Sequence, residues 1–220
     1  MKRRVLIAVC AACAISCTAA ASASAATVLD LASSEGALAA GAQLSVLSGK
    51  VLQTPEGTVE CPTSILVGTL TSNDASKDKA TITSGAYTGP NGVLCTTSTS
   101  LGPVEIAAGG LPWTQEFAKT GKAQLKGKKK LRLTVTVPAL LSLQCTYEAP
   151  KLAETFTLAA GETPTPLLLT LADQDFVRSS GSGALCPGQI STGGAAVAVA
   201  AYGPGGALLP VSVTRRRSAG

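Results

Sequence analysis

Four cysteines, Cys61, Cys95, Cys145 and Cys186, constrain this sequence more than any other feature. They bound two segments of similar layout. Each opens on a cysteine in an extended run, passes through strand-like stretches and turns, and closes on Leu-Cys, at Leu94-Cys95 and at Leu185-Cys186. No two of the four stand closer than 34 residues. Zinc sites usually bring their ligands in close pairs, so this spacing argues for disulfides instead. Four cysteines allow three connectivities. The repeated layout favours one bridge per segment, Cys61–Cys95 and Cys145–Cys186. Each would close a loop of roughly 35–40 residues and contribute about 3–4 kcal/mol in the chain-entropy model.

Disulfides need an oxidising compartment, and the N-terminus supplies a route to one. Met1-Lys2-Arg3-Arg4 is a basic start, Val5 to Ile15 is apolar, and small residues run on to Ala26. These are the three regions of a secretory signal peptide. Ala23-Ser24-Ala25 places cleavage before Ala26, or one residue later before Thr27. The apolar run is too short for a bilayer, which takes roughly 20 such residues. Cys10, Cys13 and Cys17 fall inside the signal, so an even number of cysteines remains. Ala14-Ile15-Ser16-Cys17 also has the layout of a lipobox, with Ala14 where leucine is usual. A lipid anchor through Cys17 is therefore the alternative to free secretion.

The expected organisation is a signal peptide at 1–25, a β-sandwich domain at 26–214 and a disordered basic tail at 215–220. The domain has two cysteine-bounded halves, at about 44–110 and 131–202. Strand signals dominate it. The cleanest is Leu131 to Val137, where Leu131, Leu133, Val135 and Val137 alternate with Arg132, Thr134 and Thr136. That is the pattern of a half-buried antiparallel strand, with the first set facing the core. Val197 to Tyr202 and Val211 to Val213 flank Gly203-Pro204-Gly205-Gly206 and read as a closing hairpin. Many short strands between Gly, Pro and Asn turns point to an all-β, antiparallel sandwich held by disulfides. Aromatic residues make up only 3% of the chain, so valine, leucine and isoleucine must build most of the core.

Histidine is absent from the chain. Ser-His-Asp and Cys-His catalysis and histidine metal sites are thereby excluded. No catalytic, cofactor or metal residues are assigned. A secreted hydrolase with a carboxylate pair or a Ser-Lys dyad is the alternative function. Ser76 and Lys77 are adjacent rather than spaced as such a dyad requires. Asn73-Asp74 with Asp78, and Asp173-Gln174-Asp175, offer oxygen ligands but match no calcium-loop spacing.

Lys122, Lys126, Lys128, Lys129 and Lys130 form a dense basic stretch leading to Arg132. The precursor carries +5, and removing Lys2, Arg3 and Arg4 leaves +2. The charge is thus local rather than global. Such a patch could meet anionic cell-wall polymer or a membrane surface. It could also guard an edge strand from unwanted pairing. No aromatic residues interleave the lysines, which argues against nucleic acid as the partner. Trp113, the only tryptophan, reads as a core residue first and as a ligand-stacking platform second.

Gly110-Leu111-Pro112-Trp113-Thr114, following Val104-Glu105-Ile106-Ala107, resembles a segment of a group of uncharacterised secreted actinobacterial proteins. Gly57-Thr58-Val59-Glu60-Cys61 and Gly68-Thr69-Leu70-Thr71 precede it in the same order, and Cys145-Thr146-Tyr147 is similar to their later cysteine segment. The resemblance covers roughly Leu44 to Tyr147 and implies a β-sandwich with a Leu-Pro-Trp signature. It implies no activity. The function expected from all this is a secreted or cell-envelope-associated, non-catalytic protein with a binding or structural role.

Overall fold

The alternation of Leu131 to Val137 survives intact in the computed structural model. Leu131, Leu133, Val135 and Val137 are buried, Arg132 is exposed, and Thr134 and Thr136 are half-buried. The structure describes residues 27–73, 77–89, 94–98, 102–159, 163–192 and 196–217. The signal segment with Cys17, Asp74, Ser76 and residues 218–220 lie outside these.

Nineteen strands follow one another among the described residues. They are β1 (Thr27–Ser33), β2 (Gly36–Ala37), β3 (Gln43–Thr54), β4 (Gly57–Ser72), β5 (Lys77–Thr88), β6 (Thr96–Thr97) and β7 (Glu105–Gly109). Next come β8 (Trp113–Ala118), β9 (Lys122–Gly127), β10 (Leu131–Val137), β11 (Leu143–Ala149), β12 (Leu152–Phe156) and β13 (Thr165–Pro166). The last are β14 (Leu168–Leu171), β15 (Gln174–Arg178), β16 (Gln189–Thr192), β17 (Ala196–Tyr202), β18 (Leu208–Pro210) and β19 (Ser212–Arg217). Every ladder is antiparallel, so the fold is the all-β, disulfide-stapled, sandwich-like arrangement expected.

The ladders also run around the edges of the sandwich. From β3 the pairing passes through β4, β5, β8, β9, β12, β14 and β17 and returns to β3. A second circuit runs from β3 through β4, β5, β7, β10, β11, β15 and β16 and again returns to β3. Closure of this kind removes most unpaired edges. The long strands β3, β4 and β5 serve both circuits. Leu44 to Ser48 of β3 face β17, and Leu52 and Gln53 face β16. A register shift falls between these two stretches, at Ser48/Lys50, and another falls in β4 at Val67/Gly68. Bulges bend a strand and raise its twist, which lets one strand feed two circuits. Gly68 is required there, because a Cβ would lie 2.5 Å from the Thr81 carbonyl oxygen.

Both bridges form within their halves, with Cα separations of 4.7 Å for Cys61–Cys95 and 5.5 Å for Cys145–Cys186. The halves themselves interleave, since β3 pairs with β16 and β17. Two expectations need correction. The hairpin partner of β17 is Leu208–Pro210, not Val211 to Val213. The Gly203 amide donates to the Ala207 carbonyl at 2.8 Å, so a tight turn sets Tyr202 opposite Leu208; the Val211 amide still reaches the Val199 carbonyl at 3.0 Å, while Ser212 and Val213 pair with β1 and β13 instead. The tail is not disordered from 215, because Arg215, Arg216 and Arg217 pair with Leu29, Val28 and Thr27 in β1. Backbone hydrogen bonding is indifferent to side-chain charge, and β1 presents an edge of matching length. With β2 and β13, these strands make a small second sheet.

Candidate functional site

After Val137 the chain turns through a 3-10 segment, Pro138–Leu140, and re-enters the sheet as β11. Leu141 and Ser142 carry the reversal at φ 52° and 57°. Non-glycine residues in this left-handed region cost about 1–3 kcal/mol each. The Ser142 amide reaches the Pro138 carbonyl at 3.4 Å. The segment from Gly183 to Pro187 lies beside this turn, joined to β11 by Cys186–Cys145. Arg178 holds that segment from outside, its Nη1 donating to the Cys186 carbonyl at 2.6 Å. The tip of the β3–β4 hairpin completes the ring. There the Thr54 hydroxyl donates to the Gly57 carbonyl at 3.0 Å and accepts from the Glu56 amide at 3.2 Å.

These pieces enclose a cavity of about 190 Å³. Leu52, Val59, Val104, Val135, Val137, Leu143, Cys145 and Ile190 form its apolar walls, and Tyr147 is buried among them. Leu140, Leu185 and Pro187 stand at its rim, with Thr54, Glu56 and Thr97 as the polar contributors. An apolar cavity of about 150 Å³ stays dry and can bind benzene, so this one has room for a small apolar group. The rim is unusual for a soluble surface. Leu140 is 41% exposed and Leu185 80%. Burial, and then the nearby Glu56 carboxylate, push the Tyr147 hydroxyl up to about 12, against a weaker opposing pull from Arg178. The phenol is therefore neutral at ordinary pH.

The basic stretch occupies the β9–β10 hairpin. Gly127 permits its tightness, since a Cβ would lie 2.3 Å from the Lys130 carbonyl oxygen. Lys126 bonds Glu116 at 3.3 Å, and Lys130 and Arg132 both bond Glu148, at 3.0 and 2.7 Å. The hydrogen bonds from Arg132 and Lys130 hold the Glu148 carboxyl below the usual range. Lys122, Lys128 and Lys129 have no acidic partner among the described residues. The structure thus divides the five lysines: two are neutralised by acids on neighbouring strands, and three project. A groove of about 440 Å³ runs along the hairpin between Leu111 and Glu148.

Trp113 is 2% exposed, and its indole N–H donates to the Gly109 carbonyl at 3.0 Å. It belongs to the core and offers no face for stacking a ligand. Asp78 is buried on β5, and the Asn73 side chain is bonded to the Leu31 and Leu38 carbonyls, so both are engaged within the fold; Asp74 lies outside the described residues. Asp173 and Asp175 are exposed. Among the described residues no three or more Cys, Asp or Glu side chains gather as a metal site would require. No helix among them is long and apolar enough to cross a membrane.

The cavity was not foreseen in the sequence. Its walls come from segments more than 130 residues apart, between Leu52 and Ile190. The one local signal was the run Ala139-Leu140-Leu141 directly after Pro138, where a turn should be polar. Compared with known proteins, the chain matches no family model, no curated protein and no solved structure.

Proposed function

We propose that this chain is a secreted or cell-envelope-associated, non-catalytic binding protein that takes a small apolar group into the cavity between β3–β4 and β10–β11. The observation that carries the reading is the cavity itself: about 190 Å³, walled by aliphatic side chains and ringed by exposed leucines. Exposed apolar surface around a concave opening is what ligand sites present. The two disulfides support an oxidising compartment. Export through the N-terminal signal, with or without a lipid on Cys17, is part of the proposal. The hydrolase alternative gains nothing from this site. Among the described residues Glu56 is the only acid in the lining, and neither serine nor lysine joins it.

The test is titration of the folded mature chain with hexanol and with an environment-sensitive apolar dye. Binding should be saturable and should disappear in Val137→Phe, which fills the cavity with side chain. Unfolding of that variant by denaturant checks that it still folds. A wild-type chain that binds neither probe, or a folded variant that binds as well as wild type, would overturn the reading.

A second reading concerns the hairpin. Lys128 and Lys129 project beside a groove open to solvent, and an anionic wall polymer or membrane surface could be held there. The two readings use opposite ends of β10 and do not compete for residues.

A further inference from the structure

We infer that the cavity selects an apolar ligand carrying a cationic end, in its simplest form an alkylammonium, and that Glu56 is the selecting residue. This rests on the cavity being a ligand site and adds the chemistry of the ligand's polar end.

The lining contains four side chains with polar oxygen atoms: Thr54, Glu56, Thr97 and Tyr147. The Thr54 hydroxyl donates to the Gly57 carbonyl. The Thr97 hydroxyl donates to the Gly102 carbonyl at 2.9 Å. Both threonines thus serve their own loops. What remains for a ligand is the Glu56 carboxylate and the Tyr147 hydroxyl.

Glu56 is exposed, and its backbone is what positions it at the rim. Its amide is fixed by Thr54, and it stands at the tip of a two-residue turn between the longest strands of the fold. It makes no ion pair among the described residues. Glu56 and Tyr147 line the same cavity, and the Glu56 charge adds to burial in raising the Tyr147 phenol. That phenol stays protonated, so it can donate or accept a hydrogen bond without adding charge. No cationic side chain among the described residues lines the cavity. Arg178, the register partner of Tyr147, directs Nη1 to the backbone carbonyl of Cys186.

An ammonium at the rim would therefore meet one anion and one neutral hydroxyl, with its alkyl part among Val135, Val137 and Leu143. A carboxylate of the same length would meet the same anion with the wrong sign. Apolar walls strengthen both effects, because they keep high-dielectric water from one side of the charge. The cavity volume limits the apolar part to a ring or a short chain.

The test compares hexylamine, hexanol and hexanoate by calorimetric titration of the folded mature chain at neutral pH and low salt. The amine should bind about fivefold tighter than the alcohol, the scale of one partly solvated charge pair. Hexanoate should bind weakest. Glu56→Gln should remove the advantage of the amine, so that hexylamine and hexanol bind alike. Glu56 is exposed, so thermal unfolding of the variant should match wild type. Equal binding of amine and alcohol, a preference for hexanoate, or an amine advantage that survives Glu56→Gln would each overturn the inference while leaving the apolar site intact. Failure of all three to bind would overturn both.

Discussion

Asn73 pairs with Leu31 as a neighbouring strand residue would. The Leu31 amide donates to Asn73 Oδ1 at 2.9 Å, and Asn73 Nδ2 returns a hydrogen bond to the Leu31 carbonyl at 3.0 Å. The same Nδ2 also reaches the Leu38 carbonyl at 2.7 Å. One side chain thereby ties the small terminal sheet to the end of β4. Asn73→Ala leaves the Leu31 amide and carbonyl without these partners, and the loss should be about 2 kcal/mol. Urea unfolding measures the total. Faster amide exchange at Leu31, with exchange in β10 unaltered at low denaturant, would locate it.

Leu133 and Thr134 make a paired test of register. Leu133 is 1% exposed, and Thr134 sits half-buried on the other face of β10. Leu133→Asp places a charge in the core and should cost at least about 4 kcal/mol, enough to unfold many domains. Thr134→Asp should cost under about 1 kcal/mol. Equal losses in chemical denaturation would mean that both faces of the strand are covered.

Gln115 donates its side-chain amide to Glu154 at 2.5 Å, reaching from β8 past β9 to β12. Both residues are buried. Removing a donor from a buried carboxyl costs about 1.5–3 kcal/mol, so Gln115→Leu should destabilise despite its added apolar surface. A thermal melt at or above the wild-type midpoint would count against the bond.

Opening Cys145–Cys186 by the double change to serine should lower stability by about 3–4 kcal/mol, given the loop it closes. It should also weaken apolar-probe binding, because the bridge anchors the segment bearing Leu185 to β11. Loss of stability with unaltered affinity would show that the rim is held by other contacts, chiefly Arg178.

Glu148 predicts a pH dependence with a definite sign. Its folded pKa is lowered by Arg132 and Lys130, so its contribution to stability is fully present above the unfolded value of about 4.3. It is lost as pH falls through the lower folded value. The pair is solvent-facing, so the size should not exceed about 1 kcal/mol and should shrink with salt. Glu148→Gln should flatten that part of the profile in denaturation curves taken between neutral and acid pH.

The sequence exposed those features whose determinants are local. β10 was legible because strict alternation over Leu131 to Val137 admits one reading, and the bridges were legible because each lies within its own repeat-like segment. Circuit closure was not legible. It depends on β3 meeting β16 and β17, well over 130 residues away in sequence, and no local pattern encodes such a register. The arginines of β19 misled because their charge speaks of solvent, while their backbone completes a ladder. The cavity was hidden for the same reason as the circuits. Its parts acquire meaning only when Leu52, Val137 and Ile190 are brought together.

The polarity of β10 has a consequence for how the molecule would stand. Its seven residues separate the lysine hairpin before Leu131 from the leucine rim after Val137, a span of about 23 Å at the usual rise per residue. A support that met β10 end-on and gripped only Lys128 and Lys129 would leave Leu140 at the far end of the strand. Tethered through its lysines, the protein would rest on its base like a cup, with the open end turned toward the medium and free to sample whatever diffuses past.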